Sequence, residues 1–293
     1  VWTESIDVIG PYNFDLVLDR LSNDPLHVVD FHNRSIKVPI FSGTIPMVIQ
    51  VEALGSTDAP SFRLSGSLGE HKEAAVDRIK DIFQWNLPLE HIHKHFESTM
   101  LKDIFSEHRG TPLILDFDPY GCLVKCIVHQ QLNLSFAYTL TAQYVKTYGF
   151  EMDGAWFYPL PETAARLEVE QLRELQFSTR KAEYLIGLSQ LIVNKELDLE
   201  ELKGQSDTEI IDTLVKVRGI GRWTAENFLL FGLGRPNLFP VADIGIQNAL
   251  KKLYKLEQKP TKEEMEVFSQ NWDPYLSYAS LYLWRSIDKR SEK

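Results

Sequence analysis

Two cysteines, Cys122 and Cys126, are all that the 293 residues contain. That argues against a disulfide framework and against an iron–sulfur cluster, which usually takes four thiolates. Set four apart in YGCLVKCIVHQ, they fall on one face of a helix and are expected as buried thiols of a protein from a reducing cytoplasm. Positive charge is scarce too: 31 Lys and Arg face 41 Asp and Glu, a net charge of −10. That argues against a protein held to nucleic acid by a broad basic surface, whereas binding through backbone N–H groups and a few local cations stays open. No apolar run approaches the ~20 residues of a membrane span. Nor does a basic stretch precede an apolar one at the N-terminus, so neither a membrane partner nor a secretory signal is expected. No Walker-type loop, nucleophile elbow or fixed-period repeat occurs, and SGSLGE is only a Gly/Ser turn before a helix. His91, His93 and His95 alternate in EHIHKHF; they would share a face on a strand but scatter on a helix. With no cysteine or carboxylate pair beside them, no metal site is expected there.

What is present divides near residues 112–118. Before that point HVVDFHN, SIKVPIF, PMVIQVEAL and SFRLSGSL are rich in β-branched and aromatic residues with partial alternation, punctuated by Pro, Gly, Ser and Asn. FDLVLDRL and GEHKEAAVDRIKDIFQW carry helical periodicity; in the latter Ala75, Ile79, Ile82 and Phe83 share a face. Together they predict an antiparallel sheet with helices on one side. After GTPLILDFDPY helical periodicity dominates and strand signals nearly vanish. The expectation is an α+β chain: a mixed α/β domain over 1–115, then an all-helical domain over 116–293.

The chemistry-bearing stretch is VRGIGRWTAENFLLFGLGRPNLFPVADIGIQNAL, Val217 to Leu250. Gly219 and Gly221 flank Ile220 between two amphipathic patterns. Glycines open backbone angles closed to other residues, Ile220 can pin the turn to a core, and the N–H groups that begin the next helix suit a phosphate oxygen. Arg218 or Arg222 could add charge. An ordinary helix-turn-helix joint would explain the glycines alone. Asp243 stands by itself between a proline-containing segment and a helical pattern. It suits an N-cap, and it equally suits a carboxylate that stabilises positive charge developing on a sugar when a glycosidic bond breaks and that orients or deprotonates water.

This stretch resembles the helix-hairpin-helix DNA glycosylases, most of all the bacterial 3-methyladenine DNA glycosylase II (AlkA) type. DPYGCLVKCIVHQQLNLSFAYTLT resembles the first core helices of that family, PETAARLEVEQLRELQFSTRKAEYLIGLSQLI the next, and DPYLSYASLYLWR its C-terminal helix. The likeness covers roughly 118–290, and the mixed N-terminal block fits the TATA-binding-protein-like domain this type carries. Several roles follow as what the resemblance implies. Gly219, Ile220, Gly221, Arg222 and Thr224 form the hairpin that holds a DNA phosphate. Asp243, twenty residues after Trp223, is the catalytic carboxylate. Trp223, Trp284, Tyr278 and Tyr282 line the base pocket, although Tyr278 and Tyr282 equally suit a core. Gln131, with Leu132 as the alternative, fills the gap left by an extruded base.

Bifunctional relatives, which also cut the backbone, carry a lysine nucleophile at the position of Trp223. Here no lysine lies between Lys216 and Lys251, so the resemblance implies water as the nucleophile. One carboxylate without an acid partner suits alkylated purines such as 3-methyladenine and 7-methylguanine, which are already cationic and leave without protonation; aromatic faces attract such cations. Asn227 and Ile244 depart from the family pattern, each standing where a tyrosine is common. The expected partner is double-stranded DNA with alkylated bases, the expected state a monomer, and the only cofactor in view a structural monovalent cation at the hairpin carbonyls. Two other readings stay open: a non-catalytic helix-hairpin-helix DNA-binding module, and a bifunctional glycosylase/lyase for oxidised bases.

Overall fold

The computed structural model describes residues 1–288. Strands β1 (Trp2–Asp7), β2 (Val28–Asp30), β3 (Ser35–Ser42), β4 (Ile45–Ala53) and β5 (Ser61–Gly66) form one antiparallel sheet in the order β1-β5-β4-β3-β2. Helix α1 (Phe14–Leu21) lies between β1 and β2 in the chain, and α2 (Lys72–Ile82), α3 (Leu89–Phe96) and α4 (Lys102–Glu107) follow the sheet. The alternation in β4 explains the layering. Met47, Ile49, Val51 and Ala53 point into one core with Phe14, Leu18, Ile79 and Phe83, whereas Val48 points to the opposite face. Period-two spacing puts successive side chains on opposite sides of a strand, so β4 is covered on both.

The opposite face is covered by something the sequence reading passed over. Within the span expected to be all-helical, β6 (Phe150–Met152) and β7 (Ala155–Phe157) pair as a hairpin around Asp153-Gly154, both at positive φ. Its Ala155 and Phe157 pack on Val48. Asp-Gly is a strong turn signal, but three-residue strands leave too short an alternation to stand out from helical surroundings.

The helices are α5 (Pro119–His129), α6 (Leu134–Tyr148), α7 (Pro161–Ala164), α8 (Val169–Glu174), α9 (Thr179–Val193), α10 (Leu199–Leu202), α11 (Asp207–Leu214), α12 (Arg222–Asn227), α13 (Ile244–Leu253), α14 (Lys262–Phe268) and α15 (Leu276–Ser286). Their starts follow local chemistry: Asp118, Asn133, Ser178 and Asp243 accept a backbone N–H of the first turn, and Ser206 and Thr261 make capping boxes with Glu209 and Glu264. Each such cap stabilises its helix by about 1 kcal/mol. Cys122 and Cys126 are buried free thiols in α5.

Packing distributes these helices between two cores. One contains α5, α6, α9, α11 and α12. The other joins the N-terminal sheet and its helices to residues 246–283 of α13, α14 and α15. Helices after residue 115 are thus shared between a core of their own and the core of the N-terminal sheet.

Candidate active site

The hairpin joins α11 to α12 and uses its two glycines differently. Gly219 sits at φ +94°, where an L side chain is strained, and a Cβ there would come within 2.2 Å of the Tyr184 ring. Gly221 has an ordinary extended conformation (φ −94°, ψ 175°), begins α12 with no side-chain cap, and would present a Cβ to open space. Only Gly219 therefore needs its conformational freedom; Gly221 leaves the backbone at the helix start bare. Ile220 is buried in the helical core, as a turn anchor should be.

The side chains expected to help hold phosphate are otherwise engaged. Arg222 pairs with Glu226 at 2.8 Å and Arg218 with Glu183 at 2.7 Å, so each guanidinium near the turn already faces a carboxylate. Thr224 is buried, and its hydroxyl accepts the Gln130 amide at 2.9 Å. The Thr224 side chain is thus turned inward by α12, away from the cleft, and only its backbone belongs to the hairpin surface. Gln130 also donates to the Gly219 carbonyl at 2.8 Å, tying the α5–α6 loop to the hairpin. The next residue, Gln131, is exposed at φ +55°, while Leu132 is half-buried against the helical core. A strained, exposed, uncommitted side chain suits insertion better than one already packed.

Gln131, Leu132, Tyr184, the hairpin, Trp223 and Asp243 line one open cleft of about 720 Å³. Asp243 caps α13, and its two oxygens differ. Oδ1 accepts the Ile246 N–H at 2.9 Å and the Trp284 indole N–H at 2.8 Å. Oδ2 receives only the Trp223 indole N–H, at 3.5 Å, the outer limit of a hydrogen bond. Oδ1 is the held oxygen, and Oδ2 is the one without a close partner. Gly245, which sequence reasoning missed, makes this approach possible: a Cβ there would lie 2.9 Å from the Trp284 ring and 3.0 Å from Asp243 Oδ1. Asn227 hydrogen-bonds the carbonyl of Trp223 within its own helix, and Ile244 is exposed.

Behind Trp284 lies a second cavity of about 250 Å³. Trp284 forms part of its wall, beside Phe231 and Tyr138. Phe231 sits in the π-turn Phe228–Gly232 that continues α12, and its ring centroid is 5.9 Å from that of Trp284. Tyr278 and Tyr282 are not in this wall. Both are buried on the other side of α15, where the Tyr282 ring stacks on Phe105 at 3.8 Å and its hydroxyl meets the backbone of Thr111 and the imidazole of His93. The i, i+4 spacing that suggested a pocket face is instead the face α15 turns to α4. His91, His93 and His95 lie on α3; His93 accepts the Gly110 N–H, and His95 contacts the Asn271 carbonyl. Among the described residues no group of three or more His, Cys, Asp or Glu side chains is arranged to hold a metal ion.

The electrostatics of the second cavity are set by an enclosed ion pair. Burial alone would raise the Asp116 carboxyl, but hydrogen-bonded Lys125 overrides it and holds the group below the usual carboxylate range. In return, and again against burial, Asp116 raises Lys125 above the ordinary lysine value. Arg20 places its guanidinium over the Phe231 ring at 4.6 Å, and burial lowers its proton affinity.

Residues 124–274 match the family described as HhH-GPD superfamily base excision DNA repair protein, a span that runs from α5 through the hairpin and Asp243 to the start of the last helix. The chain belongs to this superfamily. One HhH-GPD relative, named "Putative DNA-3-methyladenine glycosylase YfjP", from Bacillus subtilis, is 52% identical over 289 residues, covering 98% of this chain and 100% of the relative. A second Bacillus subtilis protein, named DNA-3-methyladenine glycosylase, is 31% identical over 302 residues, covering 98% and 99%. The fold of the whole chain, N-terminal sheet included, is that of the 3-methyladenine DNA-glycosylase from Archaeoglobus fulgidus, with a TM-score of 0.83 over 97% of each chain at 23% identity.

Proposed function

We propose that this HhH-GPD protein is a monofunctional DNA glycosylase of base excision repair, which extrudes alkylated purines from duplex DNA and hydrolyses their bond to deoxyribose. The observation that carries the reading is the Asp243 carboxylate: Trp284 and the α13 backbone hold one of its oxygens, and the other is left toward the hairpin cleft. As the C1′–N9 bond breaks, its electron pair leaves with the cationic base, and positive charge grows on the sugar. Oδ2 stabilises that charge and takes the proton of the water that adds to C1′. Bare N–H groups at Gly221 and the start of α12 hold a phosphate, and Gln131 fills the gap in the base stack. A monovalent cation, if bound at the hairpin, would be held by backbone carbonyls, of which those of Gly219 and Val217 already accept Gln130 and the Ile220 N–H.

Support for the monofunctional assignment comes from the lysines. Trp223 offers an indole where an amine would be needed. Lys125, the lysine on the wall of the second cavity, is ion-paired with Asp116 and held protonated, which removes its nucleophilic lone pair. The names of the two Bacillus subtilis relatives favour alkylated over oxidised purines. The test is incubation with methylated duplex DNA, scored separately for free base and for strand breaks. Base release without breaks, lost in Asp243→Asn, is expected; breaks accompanying release, or release undiminished in the variant, would refute it.

A further inference from the structure

Three side chains fasten the loop that carries Gln131 to the hairpin and to α9. The first is Gln130. Its amide nitrogen donates to the Gly219 carbonyl at 2.8 Å and to the Thr224 hydroxyl at 2.9 Å, so it spans the turn on either side of Gly221. The second is Lys181, in the first turn of α9. Its ammonium donates to the carbonyls of Val128 at 2.5 Å and Gln130 at 2.6 Å. The third is Tyr184, on the same face of α9, whose ring lies so close to Gly219 that no Cβ fits between them.

A lysine that satisfies the end of a neighbouring helix is an ordinary structural device, and the Val128 carbonyl is at such an end. The Gln130 carbonyl is not. It lies beyond α5, in the peptide group that joins Gln130 to Gln131. Holding that oxygen fixes the plane from which Gln131 starts, and Gln131 stands at φ +55°, in the left-handed region that residues other than glycine seldom occupy. Such a conformation persists only where the surroundings over-determine it. Gln131 itself is exposed, so the constraint comes from its neighbours.

We propose that Lys181 and Gln130 are positioning residues for base extrusion: they join the gap-filling Gln131 and the phosphate-holding hairpin into one rigid unit, so that capture of the backbone brings Gln131 to the base stack at a set depth. The inference rests on the glycosylase reading of this site, and within it on Gln131 as the gap filler. Misplacing a group by about 1 Å can cost about 100-fold in rate. Extrusion costs most when the target base is paired and stacked, so loss of the anchor should show most on a paired lesion.

The test uses the full chain and a duplex carrying 7-methylguanine, set either opposite cytosine or opposite an abasic analogue, where no pairing opposes extrusion. Lys181→Met should slow single-turnover base release from the paired duplex by about 10-fold or more and from the unpaired one by about 3-fold or less. In a Gln131→Ala background the same substitution should cost about 3-fold or less on the paired duplex, because the residue it acts through is gone. A second readout needs no catalysis: 2-aminopurine placed beside an abasic analogue changes its fluorescence when a side chain enters the stack, and the saturated Lys181→Met complex should show less of that change than the wild type. Gln130→Met serves in both measurements if Lys181→Met fails to fold. Equal slowing on the two duplexes, or costs that simply multiply in the double variant, would leave a purely structural lysine and overturn the proposal. So would weaker duplex binding with an unchanged signal once bound, the mark of a phosphate ligand. A fluorescence change diminished in the variant while neither protein releases base keeps the positioning role and sinks the glycosylase reading; base release by the wild type without any fluorescence change does the reverse.

Discussion

The two hairpin glycines make opposite demands, and that gives a quantitative prediction. Replacing Gly219 by Ala places an L side chain at φ +94° and drives a Cβ to 2.2 Å from the Tyr184 ring. The backbone strain costs about 1–2 kcal/mol, and relieving a contact that close by swinging the ring adds about 1–3 kcal/mol. Swinging the Tyr184 ring would also disturb Arg218, which lies over it at 5.7 Å and pairs with Glu183. A loss of about 2–5 kcal/mol is expected, read as a lower denaturation midpoint in urea. Gly221→Ala meets neither strain nor a neighbour, so its stability should stay within about 0.5 kcal/mol of the wild type. On the proposed function its effect should fall on DNA binding, where the new methyl would crowd a phosphate held by the bare N–H groups. Fluorescence anisotropy with an abasic-site duplex should show weaker binding by Gly221→Ala at unchanged fold stability. Equal midpoints for the two variants, or tight DNA binding by Gly221→Ala, would refute this division of labour.

Asp243→Asn should lower base release by about 100-fold or more while duplex affinity stays equal or rises, because a carboxylate is removed from beside an anionic backbone; near wild-type release would remove Asp243 from the chemistry. Duplex affinity should fall only shallowly with salt, since the net charge is −10 and Arg218 and Arg222 are already paired; a steep slope would place a basic binding face elsewhere. Borohydride should trap no protein–DNA adduct on an alkylated duplex, because Trp223 has no amine and Lys125 stays protonated; a trapped band would reverse the monofunctional assignment. Burial, with Arg109 adding to it, holds the folded-state pKa of His93 at about 4. Between that value and the ~6.5 of an unfolded histidine the unfolded chain binds the extra proton, so stability should fall as pH drops from 7 to 5. The fall should be smaller in His93→Gln, and identical pH profiles for the two proteins would contradict it.

How much of this was legible in the sequence depended on whether an element's meaning is local. The hairpin glycines, the caps and the Asp243 position declare themselves because turn chemistry and N-capping act over a few residues. Tyr278 and Tyr282 did not, since an i, i+4 aromatic pair looks the same whether α15 turns it to a substrate or to Phe105. Phe231 faces the second cavity from a π-turn, and the offset of one residue per turn defeats a count in steps of 3.6. Arg20 and Asp116 resemble solvated surface charges in a linear reading; only the folding of α1 against the far end of the chain encloses them. Gly245 passes for a weak helix residue until Trp284 is set against it.

The partition of the cores also has a temporal side. During synthesis the segment carrying α5 through α12 can close its own core once its residues have emerged. The N-terminal sheet, made before these helices, must keep uncovered the apolar surface meant for α13 to α15 until α15 leaves the ribosome. Non-local closure of this kind is slow and exposes sticky surface meanwhile. Because Asp243 caps α13 and Trp284 rides on α15, the indole N–H that joins the Ile246 N–H on Asp243 Oδ1 arrives only with α15.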